Sequence, residues 1–599
     1  MRDGLDLRLV PSACTAWAAA TAASTYATAG TITTTAVAAV AAVGCAATVE
    51  LARRRGQAAS AGVRPAPKPR TQDRAGYAGE VGVAGQVVLV LAVLSVVLGT
   101  GAAQLVARQA GGLGALAAER AVVRVTGTVA SDAVPVASAW PGAPARYRVT
   151  VATDRVGARG SESVSAAPVV VLGGSGWADV VYGSRIIASG RLSAAEPGAR
   201  AVALLVVSGP PRLVADPGPW LTRAARVRSG LVAVASTLPG DAGALLPGVA
   251  VGDTSHVPTD LAAAMRGEGL THLTAVSGAH FALVGAAVLA CAGAVRMHRR
   301  LRVIVLVVAL TGFVVLVHPG PSVLRAAAMG ALGVAGLVAG RPARAMPALS
   351  AGVVVLLVAD PWLAREIGFV LSVLATAGLV LLAKPLAARW SGRVGAPIAY
   401  AFAVPVAAQC VCAPVVVLLS PTVSTFAVPA NLVADPAVAP ATVLGLLAAL
   451  VAPWWPAGAS VLAAVAGAAC WWIGAVARTA VSLPGAQVAW PAGPRGATLL
   501  AVATAAALAL VLRDRPSPPD SGADGPRTSA PGRDARWWQL WRERARRSVV
   551  APLVRATRDA IPPNDRQALD RRHGCRRALV GRRAARARRA RVRRRGAPR

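Results

Sequence analysis

Residues 269–289 read GLTHLTAVSGAHFALVGAAVL, setting two histidines and a serine in a stretch long and apolar enough to cross a bilayer. Ionisable side chains at membrane depth are costly, about 2.5–3.5 kcal/mol for a central Asp, Lys or Arg on insertion scales, and mark functional positions by default. His272, Ser277 and His280 therefore need a compensating role. Ser277 and His280 stand three apart and share a face of a helix, while Gly278 between them permits a break. Spacing leaves two readings open: a polar path through the membrane, or hydrogen-bonding glue between neighbouring helices. A third chemistry, attack by Ser277 with His280 as base, is poorly served by a pair on one helix without an evident orienting group. No enzymatic activity is expected.

Further polar residues interrupt the apolar segments. Arg325 is either a phosphate contact or the partner of Glu366 in an ion pair tying two helices together, and Glu366, beside Arg365 near a predicted helix end, is equally placed for simple exposure. Gln409 and Asn431 line a path or satisfy backbone broken around Pro429 and Pro436, with the backbone role favoured. Gly252 and Asp253 form a turn in which Asp253 fixes the loop; His256 and His318 read as ordinary loop residues.

The elements that must position these groups follow from composition. The chain has 599 residues, 55% hydrophobic and 15% charged, where a soluble protein of this size carries nearer a quarter charged. Repeated apolar runs of about 18 or more residues make it a polytopic α-helical membrane protein. No cleavable secretory signal stands out, and the first two apolar stretches read as a helical hairpin. Only Lys68 and Lys384 among the 63 basic residues are lysines, the mark of a GC-rich coding bias. From Asp514 onward, 25 arginines face 8 acids, so this tail contributes +17 of the formal +36. Six of the seven cysteines lie in apolar segments, and no Cys/His cluster has zinc spacing, so neither a disulfide framework nor a metal or other cofactor is expected.

Spans are predicted near 12–29, 31–51, 81–106, 270–294, 301–318, 322–340, 345–359, 365–383, 396–419, 424–451, 460–477 and 495–512, about 12 in all. The run at 52–74 holds seven basic residues against one acid and is placed in the cytoplasm. Residues 1–106 thus form an N-terminal helical unit, and 107–229 lie outside. This outer segment contains five short Val-rich runs punctuated by Gly, Pro, Ser and Asp, the pattern of a small OB-like β-barrel. Residues 230–513 form the main membrane domain, opening on an interfacial stretch in which Thr259 or Asp260 caps a short helix. Basic clusters at Arg296–Arg302, Arg341/Arg344 and Lys384/Arg389/Arg393 fall on the cytoplasmic side if the β-domain is outside, and both termini then return to the cytoplasm. Residues 514–599 read as a basic, largely disordered tail with one short helix around 537–554.

Four stretches in order resemble the ComEC family of bacterial DNA-uptake proteins: GVAVGDTSHVPTDLAAAMRGEGLTHLTAVSGAHFAL at 248–283, PSVLRAAAMGALG at 321–333, DPWLAREIGFVLSVLATAGL at 360–379, and the segment from Gln409 through SPTVSTFAVPANLVADP at 420–436. The resemblance covers roughly 248–510 and departs at Val370, where the family commonly carries glutamine. It implies an inner (plasma) membrane channel passing single-stranded DNA into the cytoplasm during natural transformation. His272, Ser277, His280, Arg325, Glu366, Gln409 and Asn431 would line its path or gate, with Gly252, Asp253 and Gly278 at the motif turns. An outer-face DNA receptor, a cytoplasmic DNA-translocating ATPase and a separate nuclease are its implied partners, besides DNA and the lipid bilayer. Many members carry a metallo-β-lactamase-like domain. Only His573 follows the last span, so this chain reads as the form lacking it. No GxxxxGK[ST] loop exists, so the chain is not its own P-loop ATPase. A secondary transporter or exporter of a small solute is the alternative, since midplane polar residues and interrupted helices serve that function equally well.

Overall fold

The computed structural model describes residues 6–25, 44, 71–136, 144–196, 198–274, 276–338 and 345–513. The expected span near 31–51, most of the basic loop after it, and the whole tail at 514–599 with its expected short helix lie outside the described residues.

Helix α1 (Val10–Thr25) packs against α2 (Thr71–Gln109) through Ala16, Ala19, Ala20 and Ala23, all buried on one helical face. Small side chains allow the close approach: a Cβ added to Gly101 would lie 2.8 Å from that of Ala23.

A short helix, α3 (Leu113–Ala118), leads into the β-domain. Its strands are β1 (Val122–Val129), β2 (Val134–Val136), β3 (Arg146–Ala158), β4 (Ser161–Val164), β5 (Pro168–Gly173), β6 (Arg185–Ala194), β7 (Ala203–Val207) and β8 (Arg212–Ala215). Five of them close a barrel in the order β1–β3–β5–β7–β6, with β6 returning to β1; only the β5–β7 pairing in this ring is parallel. The five Val-rich runs are these five strands. Alternation explains the core: Val123, Val125 and Val129 of β1, Val149 and Val151 of β3, Val169 and Val171 of β5, and Leu205 of β7 point inward. Trp177 fills one end and donates its indole N–H to the Gly209 carbonyl at 2.9 Å. Each such side chain stabilises the barrel by about 1.5–3 kcal/mol. The β1 ladder shifts register between Thr126 and Gly127, and a Cβ at Gly127 would collide with the Ala152 carbonyl. Gly127→Val is accordingly expected to open the β1–β3 seam, read as lost amide-exchange protection confined to the barrel.

The remaining helices are α4 (Pro219–Ala235), α5 (Gly240–Val251), α6 (Thr259–Gly267), α7 (Gly278–Ala294), α8 (Arg299–Val317), α9 (Pro321–Val338), α10 (Ala345–Ala359), α11 (Ile367–Gly378), α12 (Lys384–Val394), α13 (Ala396–Val416), α14 (Ala427–Val451), α15 (Pro456–Ser482) and α16 (Gly493–Leu512). The chain is a multi-pass α-helical membrane protein. Among the described residues, eight helical stretches are long and apolar enough to cross a membrane: 85–109, 271–294, 299–317, 367–394, 396–416, 427–451, 456–482 and 493–512. Of the other expected spans, three form shorter helices, α1, α9 and α10. The 15 residues of α10 reach about 22 Å at 1.5 Å per residue, short of a ~30 Å hydrocarbon core.

The helical core lies where α4, α5, α14 and α15 meet, around Leu231, Leu245, Leu246, Val249, Ala441, Ala466, Cys470 and Ile473. Gly445 admits α5, since a Cβ there would stand 2.8 Å from that of Ala250. Two local expectations are corrected. The cap of α6 is Pro258, with Thr259 and Asp260 already inside the first turn. Helix α14 does not break at Pro436; it runs through Pro436 and Pro440 because neighbouring helices hold both sides of the lost hydrogen bonds. A π-helical turn at Leu379–Ala383 joins α11 to α12 just before Pro385, which has no N–H to offer an α-helical ladder.

Candidate functional site

The segment with both histidines begins as a 3-10 turn, Thr271–Leu273, and becomes α7 at Gly278. Ser277 is extended and caps α7, forming a reciprocal capping box with His280. The Ser277 N–H donates to His280 Nδ1 at 3.1 Å, and Ser277 Oγ lies 3.0 Å from the same nitrogen. A neutral imidazole so held carries its proton on Nε2. His280 is 1% exposed, and its Nε2 has no partner among the described residues. A buried unmet donor costs about 1–3 kcal/mol. A nucleophile–base pair would use the same 3.0 Å contact, but Nδ1 is already occupied by the helix cap and no group among the described residues orients Nε2.

Arg325 enters the same region from α9. It is 5% exposed, and its Nε donates to Ser372 Oγ at 2.7 Å while Nη1 donates to Thr376 Oγ1 at 3.1 Å and approaches Met329 Sδ at 3.2 Å. Nη2 faces Gly278, 3.3 Å from the place of a Cβ. The ion pair with Glu366, one of the two readings of Arg325, is not formed. Glu366 caps the first turn of α11 and is half-buried, and among the described residues no carboxylate pairs with Arg325.

His272 donates Nδ1–H to the Gly269 carbonyl at 3.0 Å. Its side chain is exposed on the protein surface. The charge within its reach is Asp435, on α14 and also solvent-accessible. Asn431 sits one turn before Asp435 on the same face and donates to the Ala427 carbonyl at 2.7 Å, which is not one of the carbonyls that Pro429 or Pro436 leaves without a helical partner. Sequence reasoning passed over Asp435 because the Pro436 after it read as a helix stop; its spacing of four from Asn431 was the available signal. Gln409 is half-buried on α13 and makes no hydrogen bond among the described residues. The structure thus gathers His272, Ser277, Gly278, His280 and Arg325, adds Asp435 beside Asn431, and leaves Glu366 and Gln409 without contacts to them.

Glu268 lies just ahead of this segment. It is 0% exposed; Oε2 accepts from Ser424 Oγ at 2.7 Å, and Oε1 is buried without a partner among the described residues. Burial raises its pKa above the ordinary 4.5, and the Ser424 bond opposes this only in part. An acid with a raised folded pKa loses stability as pH climbs through its unfolded value. Glu268→Gln should therefore remove a decline in stability above pH 4.5, measured as thermal unfolding in micelles between pH 4 and 8.

Gly252 ends α5 with φ +76, and Asp253 Oδ1 accepts from Ser255 N at 3.1 Å and Ser255 Oγ at 2.6 Å, a loop-fixing turn as expected. Close by is a junction that sequence reasoning missed. Arg228 of α4, buried, donates to the carbonyls of Val251 (2.9 Å) and Leu316 (3.1 Å) and to Asp132 Oδ2 of the barrel at 2.8 Å. His318, read earlier as an ordinary loop residue, places Nδ1 2.9 Å from Asp132 Oδ1 and stacks on barrel Tyr182 with ring centroids 4.2 Å apart. Burial would raise the Asp132 pKa, but the contacts with His318 and Arg228 outweigh it and hold the carboxyl below its ordinary 3.8. A depressed carboxylate stabilises above its unfolded pKa and loses that contribution as pH falls through the folded one. Amide-exchange protection at 130–133 should stay level from pH 7 to 5 and fall only in the window below pH 3.8. A second anchor joins Arg200 of the barrel to Asp360 at 2.8 Å, with Arg108 stacked over Trp362.

A family model described as Competence protein matches residues 249–515. ComE operon protein 3 of Bacillus subtilis (strain 168) is 32% identical over 146 residues, which is 24% of this chain. The match spans only 19% of that protein's length. No solved structure matches. Residues 249–515 belong to the Competence protein family, and this segment holds every polar group of the cluster.

Proposed function

We propose that this chain passes single-stranded DNA across the plasma membrane into the cytoplasm, acting as a conduit and not as an enzyme. The observation that carries this reading is that His272 and Asp435, both exposed on the protein surface and within electrostatic reach of one another, fall in apolar stretches long enough to cross a membrane. A charged or polar side chain is tolerated at membrane depth where it lines water, and a polyanion needs such a route. The family match and the relative's name, which refers to a competence operon, support DNA as the cargo.

Orientation follows from charge. Helix α8 starts at Arg299, Arg300 and Arg302 and ends at His318 against the barrel, about 28 Å away at 1.5 Å per residue. The positive-inside rule puts the arginines in the cytoplasm and the barrel outside, with both termini cytoplasmic. The strand order β1–β3–β5–β7–β6 supports an OB-like assignment for this outer domain. Inward movement of phosphates works against an inside-negative potential, at about 2.3 kcal/mol per charge per 100 mV. A DNA-translocating ATPase on the cytoplasmic side, a DNA receptor outside and a separate nuclease fit that requirement.

Deleting the gene should abolish import of labelled DNA in a strain whose competence machinery otherwise works. Unchanged import would reject the proposal, and a changed small-molecule efflux with normal import would support the solute-transporter alternative.

A further inference from the structure

We propose that the N-terminal end of α7, together with Arg325, is a binding site for one monoanionic phosphodiester group; identifying that group with a link of the DNA backbone rests on the import reading above. Three sets of donors lie in or against this first turn without acceptors among the described residues. The Gly278 and Ala279 amides open the 17-residue α7 and donate to no group among the described residues. Arg325 has spent Nε on Ser372 and Nη1 on Thr376 and Met329, which leaves both protons of Nη2, on the side facing Gly278, without a partner among the described residues. His280, 1% exposed and in the same first turn, adds an unpartnered Nε2.

Charge selects the ligand. A helix N-terminus with free amides attracts an anion, and here a full guanidinium charge reinforces its partial positive charge. No carboxylate among the described residues neutralises that guanidinium, although a buried cation without a counter-charge is unfavourable. One fixed positive charge surrounded by neutral donors matches a ligand of charge −1. A phosphate monoester of charge near −2 would leave an excess negative charge enclosed by protein, whereas a phosphodiester would not. Ser372 occupies Nε while Thr376 and Met329 occupy Nη1, so the contact offered is the two protons of Nη2. A backbone phosphate could form it and release it without displacing a protein partner. Gly278 is part of the design: its missing Cβ leaves open the space 3.3 Å from Nη2.

The test uses the full chain purified in detergent, with the dinucleotide dTpdT as probe, followed by calorimetry. The wild type should bind dTpdT, bind thymidine monophosphate at least tenfold more weakly, and ignore the uncharged methylphosphonate analogue. Arg325→Gln should weaken dTpdT binding at least tenfold. Gly278→Ala, a change that favours helix and so preserves folding, should do the same by filling the anion's space. Equal binding of dTpdT to wild type and both variants, or equal binding of the methylphosphonate, would overturn the site. Arg325-dependent binding of dTpdT by a chain that imports no DNA would keep the site and remove the import reading. Wild-type import by Gly278→Ala and Arg325→Gln would do the reverse.

Discussion

His280→Gln is expected to fold like the wild type and to import labelled DNA at least about a hundredfold more slowly, a transition-state difference of about 2.7 kcal/mol. The substitution separates two roles that the imidazole combines. As the third residue of α7 it accepts the Ser277 N–H. Glutamine at that position completes a capping box in the same way. What glutamine does not reproduce is the rigid ring whose Nε2 reaches a buried position without a protein partner. His280→Ala removes both, and should cost about 0.5–2 kcal/mol of stability through the lost cap as well as import. Rescue of import by glutamine but not by alanine would reduce His280 to a helix cap and take it out of the path. Thermal unfolding in the same micelles provides the control that both variants are folded.

The second large effect is expected at Arg228, far from the histidine segment in sequence. Arg228→Met should destabilise the chain by about 3–5 kcal/mol, because removing one member of a buried charged network leaves the others unmatched. Its loss would strand the Val251 and Leu316 carbonyls and leave Asp132 facing Asp253 without the guanidinium between them. Lysine should not rescue: one ammonium does not present the planar fork that reaches two carbonyls with Nη1 and a carboxylate with Nη2. Arg226→Met, two residues away on an exposed face, should shift stability by no more than about 0.5 kcal/mol. Urea or thermal unfolding followed at the barrel and at the helices separately would also show whether they come apart. An Arg228→Met variant as stable as Arg226→Met would mean that the junction contributes nothing to holding the barrel in place.

The two substitutions bear on different levels of the same design. Arg228, Asp132, His318 and Tyr182 fix the barrel to the ends of α5 and α8, so the turn at Gly252 and Asp253 is held from both sides. Gly252 packs in turn against Val276 and Val317, the first of which leads directly into Ser277. Contacts made by the β-domain are in this way continuous with the polar segment of the membrane domain.

Much of this was legible in the linear sequence, for identifiable reasons. Hydropathy marks helices in a membrane protein because every backbone group must be satisfied within its own segment, so eight helices of spanning length could be read directly. Period-two alternation did the same for the five barrel strands, since each strand has one face inside. His272, Ser277, His280 and Arg325 were conspicuous because polar groups are rare in such surroundings. Partnership was another matter. Arg325 and Glu366 are opposite charges on helices that pack together, and nothing in the sequence separates a pair from two neighbours; the rotation of α11 turned Ser372 and Thr376 toward the guanidinium instead. Asp435 looked like the residue before a helix-ending proline, and became a site residue because packing carried α14 through Pro436. Likewise His318 and Asp132, separated by well over a hundred residues, meet through the seating of a barrel on helix ends. Local periodicity and burial cost act within a segment and are written in the order of residues; the pairing of charges depends on helix rotation and domain placement, which only the folded chain decides.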